Sequence, residues 1–214
     1  DIGANNGMSA LGFRKIGIKY NILSIDANPI HIKSLENVKK QINNFEFKII
    51  GASDSTSKLR LYMPFYKKIP LHGLASADKN YVDTALKRDF SEYYRKNITY
   101  KSYEIDVIPL DKLDLSPDII KVDVEGLDGK VLRGLKKTIT KNKPVILVEF
   151  TPSIFSEINE LLINQKYDCF VFDITKDKFK NFEYADALKN YNEKSLQVNI
   201  FCLPKKNEFK IPKI

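Results

Sequence analysis

The sequence contains few of the residues that build metal centres and disulfide frameworks. Only two cysteines and two histidines occur among its 214 residues. Neither Cys169 nor Cys202 lies in a CxxC or Cys/His spacing, so a zinc site is not expected. Both cysteines lie within apolar runs, which predicts two buried, reduced thiols in a cytoplasmic protein. No other metal motif stands out, and we expect no metal in the active site.

Long apolar runs are also missing. No segment approaches the ~20 apolar residues that cross a bilayer, and no signal peptide is visible. Hydrophobic residues form 43% of the chain and charged residues 29%, which is typical of a globular protein. The length predicts a single α/β domain over residues 1–214. The opening Asp1-Ile2-Gly3 is typical of a strand end, so we expect the start of that strand to be missing from this sequence.

Basic residues outnumber acidic ones, but they form no concentrated patch. The formal net charge is +8, and the lysines are scattered along the whole chain. Neither an arginine-rich stripe nor a basic segment with interleaved aromatic residues is present, so no nucleic-acid partner is expected. A solvated lysine surface is the simplest interpretation, although it would also suit an anionic acceptor. The sequence does not indicate an oligomeric state.

Apolar, strand-like runs alternate with helical patterns along the chain, which predicts βαβ units and a mostly parallel sheet. The least regular stretch is 64–97, which we interpret as an insertion or lid that contacts substrate. The alternative for this stretch is an ordinary helical insertion around Tyr81–Arg95. Leu196–Leu203 is predicted to be a closing strand, and 205–214 a loosely held tail.

A glycine-rich turn, D-I-G-A-N-N-G, opens the sequence and precedes a helical pattern. Such a turn allows backbone N–H groups to approach a polar ligand, so Asp1, Gly3, Asn5 and Gly7 are candidate cofactor-binding residues. Asp26 lies 23 residues after Gly3, at the end of the next strand. An acidic residue in this position hydrogen-bonds the ribose hydroxyls of a nucleoside. The alternative for the glycine turn is an ordinary strand-to-helix turn, and the alternative for Asp26 is a helix cap before Pro29.

Three further features supply candidate site residues. Ser53 and Asp54 follow the third strand, where they would meet an adenine amino group or simply form a turn. Asp123 and Glu125 close a buried strand and, by its period of two, point to the same side. They are candidates for substrate binding or base catalysis, with helix capping as the alternative. His72, in the irregular stretch, is a third candidate base.

Taken in order, several motifs resemble those of the FkbM family of methyltransferases. They are D-I-G-A-N-N-G (1–7), S-I-D-A-N-P (24–29), G-A-S-D (51–54), Leu110-Asp111, I-K-V-D-V-E-G (120–126), V-L-R-G-L (131–135) and P-V-I-L-V-E (144–149). The resemblance covers about residues 1–150, and beyond them only the closing strand, Asn199–Pro204, is similar. It implies a Rossmann-like, class I methyltransferase fold: a seven-stranded, mostly parallel sheet of order 3-2-1-4-5-7-6, with the last strand antiparallel and helices on both faces.

The resemblance also implies roles for individual residues. S-adenosylmethionine would be the cofactor, with Gly3, Asn5 and Gly7 around its methionine part. Asp26 would hold the ribose, where family members often carry Glu before Pro. The shorter side chain at this position preserves the chemistry.

At the other end of the site, Asp123 and Glu125 would face the transferred methyl group. Glu149, which ends the next central strand, is a weaker candidate base. The sequence departs from the family pattern at Leu127-Asp128-Gly129-Lys130, where a glycine within the helix costs up to about 1 kcal/mol of helix stability.

The expected function is therefore methyl transfer from S-adenosylmethionine to a hydroxyl group, of a sugar, a glycolipid precursor or a natural product. One alternative is an NAD-dependent oxidoreductase, but the opening turn lacks the G-x-G-x-x-G pattern. The other is a non-catalytic module that keeps the fold and binds RNA or a protein partner through its basic surface.

Overall fold

The computed structural model describes residues 1–174, 176–192 and 199–205. The strands are β1 (Ile22–Asp26), β2 (Phe45–Ile49), β3 (Gly51–Ala52), β4 (Ser57–Tyr66), β5 (Ile69–Pro70), β6 (Ile98–Ile108), β7 (Ile119–Val122), β8 (Val145–Glu149), β9 (Tyr167–Asp173), β10 (Lys178–Asn181) and β11 (Asn199–Pro204). The helices are α1 (Met8–Lys15), α2 (Ile32–Gln41), α3 (Lys79–Asp89), α4 (Glu92–Arg95), α5 (Asp128–Gly134), α6 (Lys136–Asn142), α7 (Phe155–Ile163) and α8 (Tyr184–Asn192).

The strands form three sheets, of two, five and four strands, rather than one continuous sheet. These are β2–β1, β7–β8–β11–β9–β10 and β3–β6–β4–β5. The first two sheets are joined through Ile2, which makes isolated parallel bridges to Ile25 and to Val122. Ile2 is thus the point at which the opening turn enters the sheet, between β1 and β7.

The prediction of a seven-stranded, mostly parallel sheet of order 3-2-1-4-5-7-6 is therefore correct only as far as an α/β fold. Five of the eight pairings between the described strands are antiparallel. Two physical reasons account for the difference. The opening strand contributes only the bridging residue Ile2, so no ladder connects β1 to β7, and the long antiparallel β4–β6 pair adds a separate sheet.

The predicted insertion, 64–97, begins within the last three residues of β4 and otherwise forms the connection from β4 to β6. β4 pairs with β6 from Ser57↔Val107 to Tyr66↔Ile98, and α3 and α4 lie in the connection between them. The helical interpretation of Tyr81–Arg95 is thereby confirmed. A lid function for the insertion stays a prediction.

The main core lies between β7, β8, β9 and β11 and the helices α5 to α8. Side chains alternate along these strands, so that Ile146, Val148 and Ile200 are completely buried on one face. Burial of an aliphatic side chain of this size contributes about 1.5–3 kcal/mol. A smaller core packs α1 and α2 against β1 and β2, and it supports the turn that carries the candidate site.

The prediction of two reduced thiols is wrong in this structure, because Cys169 and Cys202 are joined as a disulfide. They lie directly opposite each other in the antiparallel β9–β11 pair, with their Cα atoms 4.2 Å apart. Their separation of 33 residues along the chain does not reveal this proximity, which depends on the register of two strands.

The closing strand predicted over Leu196–Leu203 is present as β11, although 196–198 lie outside the described residues. Of the predicted tail, 205–214, only Lys205 is described, and 206–214 lie outside the described residues. Among the described helices, none combines the length and the apolar character that a bilayer span requires.

Candidate active site

A cavity of about 130 Å³ lies where the opening turn meets the ends of β1 and β7. A smaller one, of about 20 Å³, lies beside Arg133. Aliphatic side chains from β4 and β6 form one wall of this cleft. The predicted site residues that line it are Gly3, Asn5, Asp26, His72, Asp123 and Glu125. The structure thus brings together six residues from four separate stretches of the sequence.

Gly3 brings the opening turn into contact with the backbone of the β7–α5 loop. The Ile2 N–H donates to the Lys121 carbonyl at 2.9 Å, and the Asp123 N–H donates to the Ile2 carbonyl at 3.0 Å. Gly3 has φ +79°, and a Cβ atom added there would lie 1.7 Å from the Asp123 carbonyl oxygen. Only glycine permits this approach, since other residues disfavour positive φ and would collide with that oxygen.

Four N–H groups of this turn donate within the protein, which limits the ligand contacts expected from the sequence. Those of Gly3 and Ala4 donate to the Ile25 carbonyl at 2.8 and 3.2 Å, and that of Gly7 donates to the Ala4 carbonyl at 2.9 Å. The Asn5 N–H donates to Asp26 at 2.7 Å. The turn therefore has little capacity left for an anionic group such as a pyrophosphate.

Asp26 is held rigidly at the end of β1. Its Oδ2 accepts from the Asn5 N–H and its Oδ1 from the Asn28 N–H, both at 2.7 Å. A carboxylate has about four acceptor sites, so about two remain for a ligand. Burial raises the pKa of Asp26 to about 6, against the opposing effect of these two hydrogen bonds.

Four other predicted residues lie outside the cleft. Gly7 packs against α2, where an added Cβ would lie 2.8 Å from Val38. The buried carboxylate of Asp1 accepts from the Ser24 hydroxyl at 3.2 Å and lies 3.7 Å from Lys121 Nζ. Asp1 and Gly7 therefore pack against the elements that carry the site and do not line the cleft.

Ser53 and Asp54 are the other two, and neither reaches the cavity. The Asp54 carboxylate accepts from the Arg133 guanidinium at 3.0 Å. The Ser53 backbone packs against Gly134, where a Cβ would lie 1.9 Å from the Ser53 carbonyl oxygen. The geometry gives no support to the predicted adenine contact, because this segment turns toward α5.

Asp123 and Glu125 both line the cleft, but not for the reason predicted from sequence. β7 ends at Val122, so strand alternation does not extend to them. Glu125 has φ +54°, and it is followed by Gly126 at φ +94°. The loop is held by the buried Asp128 carboxylate, which accepts from the Val124 N–H at 3.1 Å and the Gly126 N–H at 3.3 Å.

Burial, together with neighbouring carboxylates, raises the pKa values of Glu125, Asp128 and Glu149. Burial raises the pKa of Glu125 to about 7, and the charges of Asp123 and Asp128 add to this effect. The pKa of Glu149 rises to about 8 through burial and the charges of Glu125, Asp123 and Asp128. Glu149 is only 8% exposed and does not line the cleft. Lys121 Nζ donates to Asp123 at 3.0 Å and partly offsets the negative charge.

His72 lies on the cleft wall contributed by the insertion and meets a second histidine there. The ring centroids of His31 and His72 are 4.9 Å apart. His31 is buried, and burial lowers its pKa to about 4, with a smaller contribution from His72. The sequence analysis missed His31. The Asn28-Pro29 pair was the available signal, because Asn28 caps the short helical turn on which His31 lies.

The sequence analysis also missed two residues of the insertion that touch Glu125. The Tyr81 hydroxyl donates to Glu125 Oε2 at 2.9 Å. The Ser76 hydroxyl donates to the Glu125 carbonyl at 2.9 Å. Ser76-x-Asp78 resembles a helix start and could have located α3, but no local pattern indicates contacts that span 44 and 49 residues.

Among the described residues, no group of three or more His, Cys, Asp or Glu side chains is arranged to hold a metal ion. The cleft instead combines a fixed carboxylate at one end, which can accept hydrogen bonds from hydroxyl groups, with two carboxylates at the other. Its negative charge favours a ligand that carries positive charge and hydroxyl donors.

Residues 1–169 match the Methyltransferase FkbM domain. The fold is similar to the crystal structure of Methyltransferase FkbM from Methylobacillus flagellatus KT, with a TM-score of 0.56 and 18% sequence identity. That similarity covers 94% of this chain but 42% of the other. No curated protein matches the chain significantly. Because the domain match extends over most of its length, the chain belongs to the FkbM methyltransferase family.

Proposed function

We propose that the protein is an S-adenosylmethionine-dependent methyltransferase that methylates a hydroxyl group. The observation that carries this proposal is the position of Asp26. Its carboxylate is held by two backbone N–H groups in the cleft that also contains Asp123 and Glu125. A nucleoside bound at one end and a carboxylate base at the other are the two requirements of the reaction.

The residues of the cleft fit S-adenosylmethionine. The two ribose hydroxyls match the roughly two acceptor sites that remain on Asp26. The positive charge of the cofactor suits a cleft that contains Asp26, Asp123 and Glu125. The aliphatic wall, which includes Leu61 and Val107, offers apolar surface to an adenine ring.

The same features argue against NAD. Dinucleotide sites bind a pyrophosphate through N–H groups at the glycine turn and the helix N-terminus. Here the N–H groups of Gly3, Ala4, Asn5 and Gly7 already donate to the protein. The Met8 N–H, at the start of α1, donates to Asn6 Oδ1 at 3.3 Å. A pyrophosphate would also lie close to the three carboxylates of the cleft.

Glu125 is the best placed candidate base. S-adenosylmethionine, when bound, supplies an electrophilic methyl group on a sulfonium. Glu125 would take the proton that the acceptor hydroxyl releases, and a pKa of about 7 suits a base at neutral pH. Asp123 and His72 line the same cleft and stay alternative candidates. The main contribution of the chain is alignment of the two reactants.

The acceptor we propose is a sugar hydroxyl of a glycan or glycolipid precursor. On the wall contributed by the insertion, the His72 ring offers a polar group to a hydroxylated molecule in the cleft. The net charge of +8 would favour a phosphate on the acceptor where that group lies outside the negatively charged cleft.

Calorimetric titration with S-adenosylhomocysteine tests this proposal, with NAD as the comparison ligand. We expect micromolar binding of S-adenosylhomocysteine and none of NAD. Asp26→Ala should weaken binding at least tenfold, whereas Asp54→Ala should not, because Asp54 lies outside the cleft. Circular dichroism of both variants checks that they are folded.

Two results would contradict the proposal. Binding that is equally strong in the Asp26→Ala variant would place the ligand elsewhere. Failure to bind S-adenosylhomocysteine, together with salt-sensitive binding of RNA, would favour the non-catalytic module instead.

A further inference from the structure

The insertion contacts the β7–α5 loop at Glu125, a residue of the candidate site. Two hydroxyl groups make the attachment, Tyr81 to the carboxylate and Ser76 to the backbone carbonyl, each at 2.9 Å. The Tyr81 ring also covers Gly126, where an added Cβ would lie 3.1 Å from the ring. A glycine at this position therefore leaves room for the ring beside the loop.

The Tyr81 side chain is placed by a well-capped helix. The Asp78 carboxylate accepts from the Asn80 and Tyr81 N–H groups at 2.9 and 3.3 Å, which fixes the first turn of α3. The Ser76 hydroxyl accepts from the Asp78 N–H at 3.1 Å while it donates to Glu125. Caps of this kind hold a helix start in one geometry, so the direction of Tyr81 is set by the chain before it.

Glu125 needs such support because its backbone is in an unfavourable conformation. A non-glycine residue at φ +54° is strained unless its neighbours hold it. The Ser76 hydroxyl holds the carbonyl of Glu125, and Asp128 holds the N–H groups on either side of it. The carboxylate itself is directed by Tyr81.

We propose that Tyr81 is a positioning residue, which orients the Glu125 carboxylate into the cleft and couples the candidate base to the insertion. The proposal rests on the proposed function for the role of Glu125 as the base. The hydrogen bond and the ring contact are independent of that role. Movement of the insertion when an acceptor enters would therefore be felt directly at Glu125.

The charges around Glu125 predict how the loss of the Tyr81 hydroxyl would be detected. Burial and the carboxylates of Asp123 and Asp128 raise the pKa of Glu125 to about 7, and the buried Glu149 also faces it. The Tyr81 hydrogen bond and the more distant Arg88 charge lower it. Without the hydroxyl, the charged form of Glu125 loses a hydrogen bond, and its pKa must rise.

The test is a carboxyl carbon NMR titration of the whole chain, with Glu125→Gln to assign the Glu125 signal. In Tyr81→Phe the ring remains over Gly126, and we expect the pKa of Glu125 to rise by about 1. Tyr93→Phe is the matched control from the same insertion, since this side chain is 74% exposed. It should leave the Glu125 titration unchanged.

Two outcomes would overturn the proposal. One is a Glu125 titration that is identical in Tyr81→Phe and the wild type. The other is a fall in Tm in Tyr81→Phe as large as that in Tyr81→Ala, because this would make Tyr81 merely a structural residue. A raised pKa of Glu125 with an unchanged Tm supports it.

Titration of the same samples with S-adenosylhomocysteine separates this proposal from the proposed function. Retained binding without a change at Glu125 refutes only the positioning role. A change at Glu125 without any binding refutes only the methyltransferase assignment and leaves the coupling in place.

Discussion

The two ends of the cleft are held by different kinds of contact. At the Asp26 end, backbone N–H groups of Asn5 and Asn28 bind the carboxylate, 21 and 2 residues away along the chain. At the Glu125 end, the Tyr81 hydroxyl donates to the carboxylate across 44 residues, and the Ser76 hydroxyl donates to the backbone carbonyl across 49. The first arrangement belongs to one βα unit, and the second needs the insertion to be folded against the loop.

This difference separates a constant end of the site from an adjustable one. Hydrogen bonds from backbone groups persist whatever side chains surround them, so the Asp26 end suits a ligand that does not change. Contacts from Tyr81 and Ser76 disappear with single substitutions or with movement of the insertion. We expect the Glu125 end to determine the choice of acceptor.

Gly3→Ala should have the largest effect of these substitutions, because Gly3 joins the Asp26 end of the cleft to the Glu125 end. The added Cβ would meet the Asp123 carbonyl oxygen at 1.7 Å, in a residue with φ +79°. We expect a loss of about 3 kcal/mol in the free energy of unfolding, from overpacking and a left-handed backbone. Urea unfolding followed by circular dichroism measures it.

Gly12→Ala is the control for this substitution. Gly12 lies within α1, and an added Cβ there has nothing within 4 Å. Alanine is the better helix former, so we expect a gain of up to about 1 kcal/mol. A Gly3→Ala variant as stable as the wild type would show that the turn can move away from Asp123.

Asp128→Ala should affect only the Glu125 end. It leaves the Val124 and Gly126 N–H groups without their acceptor in a half-buried loop. We expect the free energy of unfolding to fall by about 2 kcal/mol, with affinity for S-adenosylhomocysteine reduced less than in Asp26→Ala. Asp186→Ala, at an exposed ion pair with Lys180, should cost well under about 1 kcal/mol. Equal losses in the two variants would refute the anchoring role.

The pH dependence of ligand binding tests whether the ionised Asp26 carboxylate binds the ligand. Burial raises the pKa of folded Asp26 from 3.8 to about 6. Its carboxylate therefore becomes protonated as the pH falls through 6, and the hydrogen-bond acceptor is lost. Affinity for S-adenosylhomocysteine should be about tenfold weaker at pH 5 than at pH 7, measured by calorimetry. Asp26→Asn should bind weakly with no such dependence. An equal fall in that variant would assign the effect to another group.

Much of the local structure was accessible from the sequence. The closing strand predicted over Leu196–Leu203 is present as β11, and the helical interpretation of Tyr81–Arg95 agrees with α3 and α4. The glycine turn and Asp26 were recognised from type and spacing alone. Local patterns succeeded here because each reflects the period of one element or the conformational demand of one residue.

Other features did not follow from any local pattern. β10 and α8 were missed, because Lys178–Asn181 and Tyr184–Asn192 are polar segments that depend on their neighbours for burial. Ser53 and Asp54 were predicted to meet the adenine from their position after a strand, but neither lines the cleft, and Asp54 is paired with Arg133. The disulfide between Cys169 and Cys202 requires the register of β9 and β11.

By itself, the sequence determined the α/β character of the chain, its family resemblance, the turn at Gly3 and the acidic residue at Asp26. Only the tertiary structure decided that Glu125 faces the cleft from a left-handed backbone, and that Tyr81 and Ser76 hold it there. The physical reason is that a side chain's direction depends on its own φ angle and on partners from distant elements, and a linear pattern records neither.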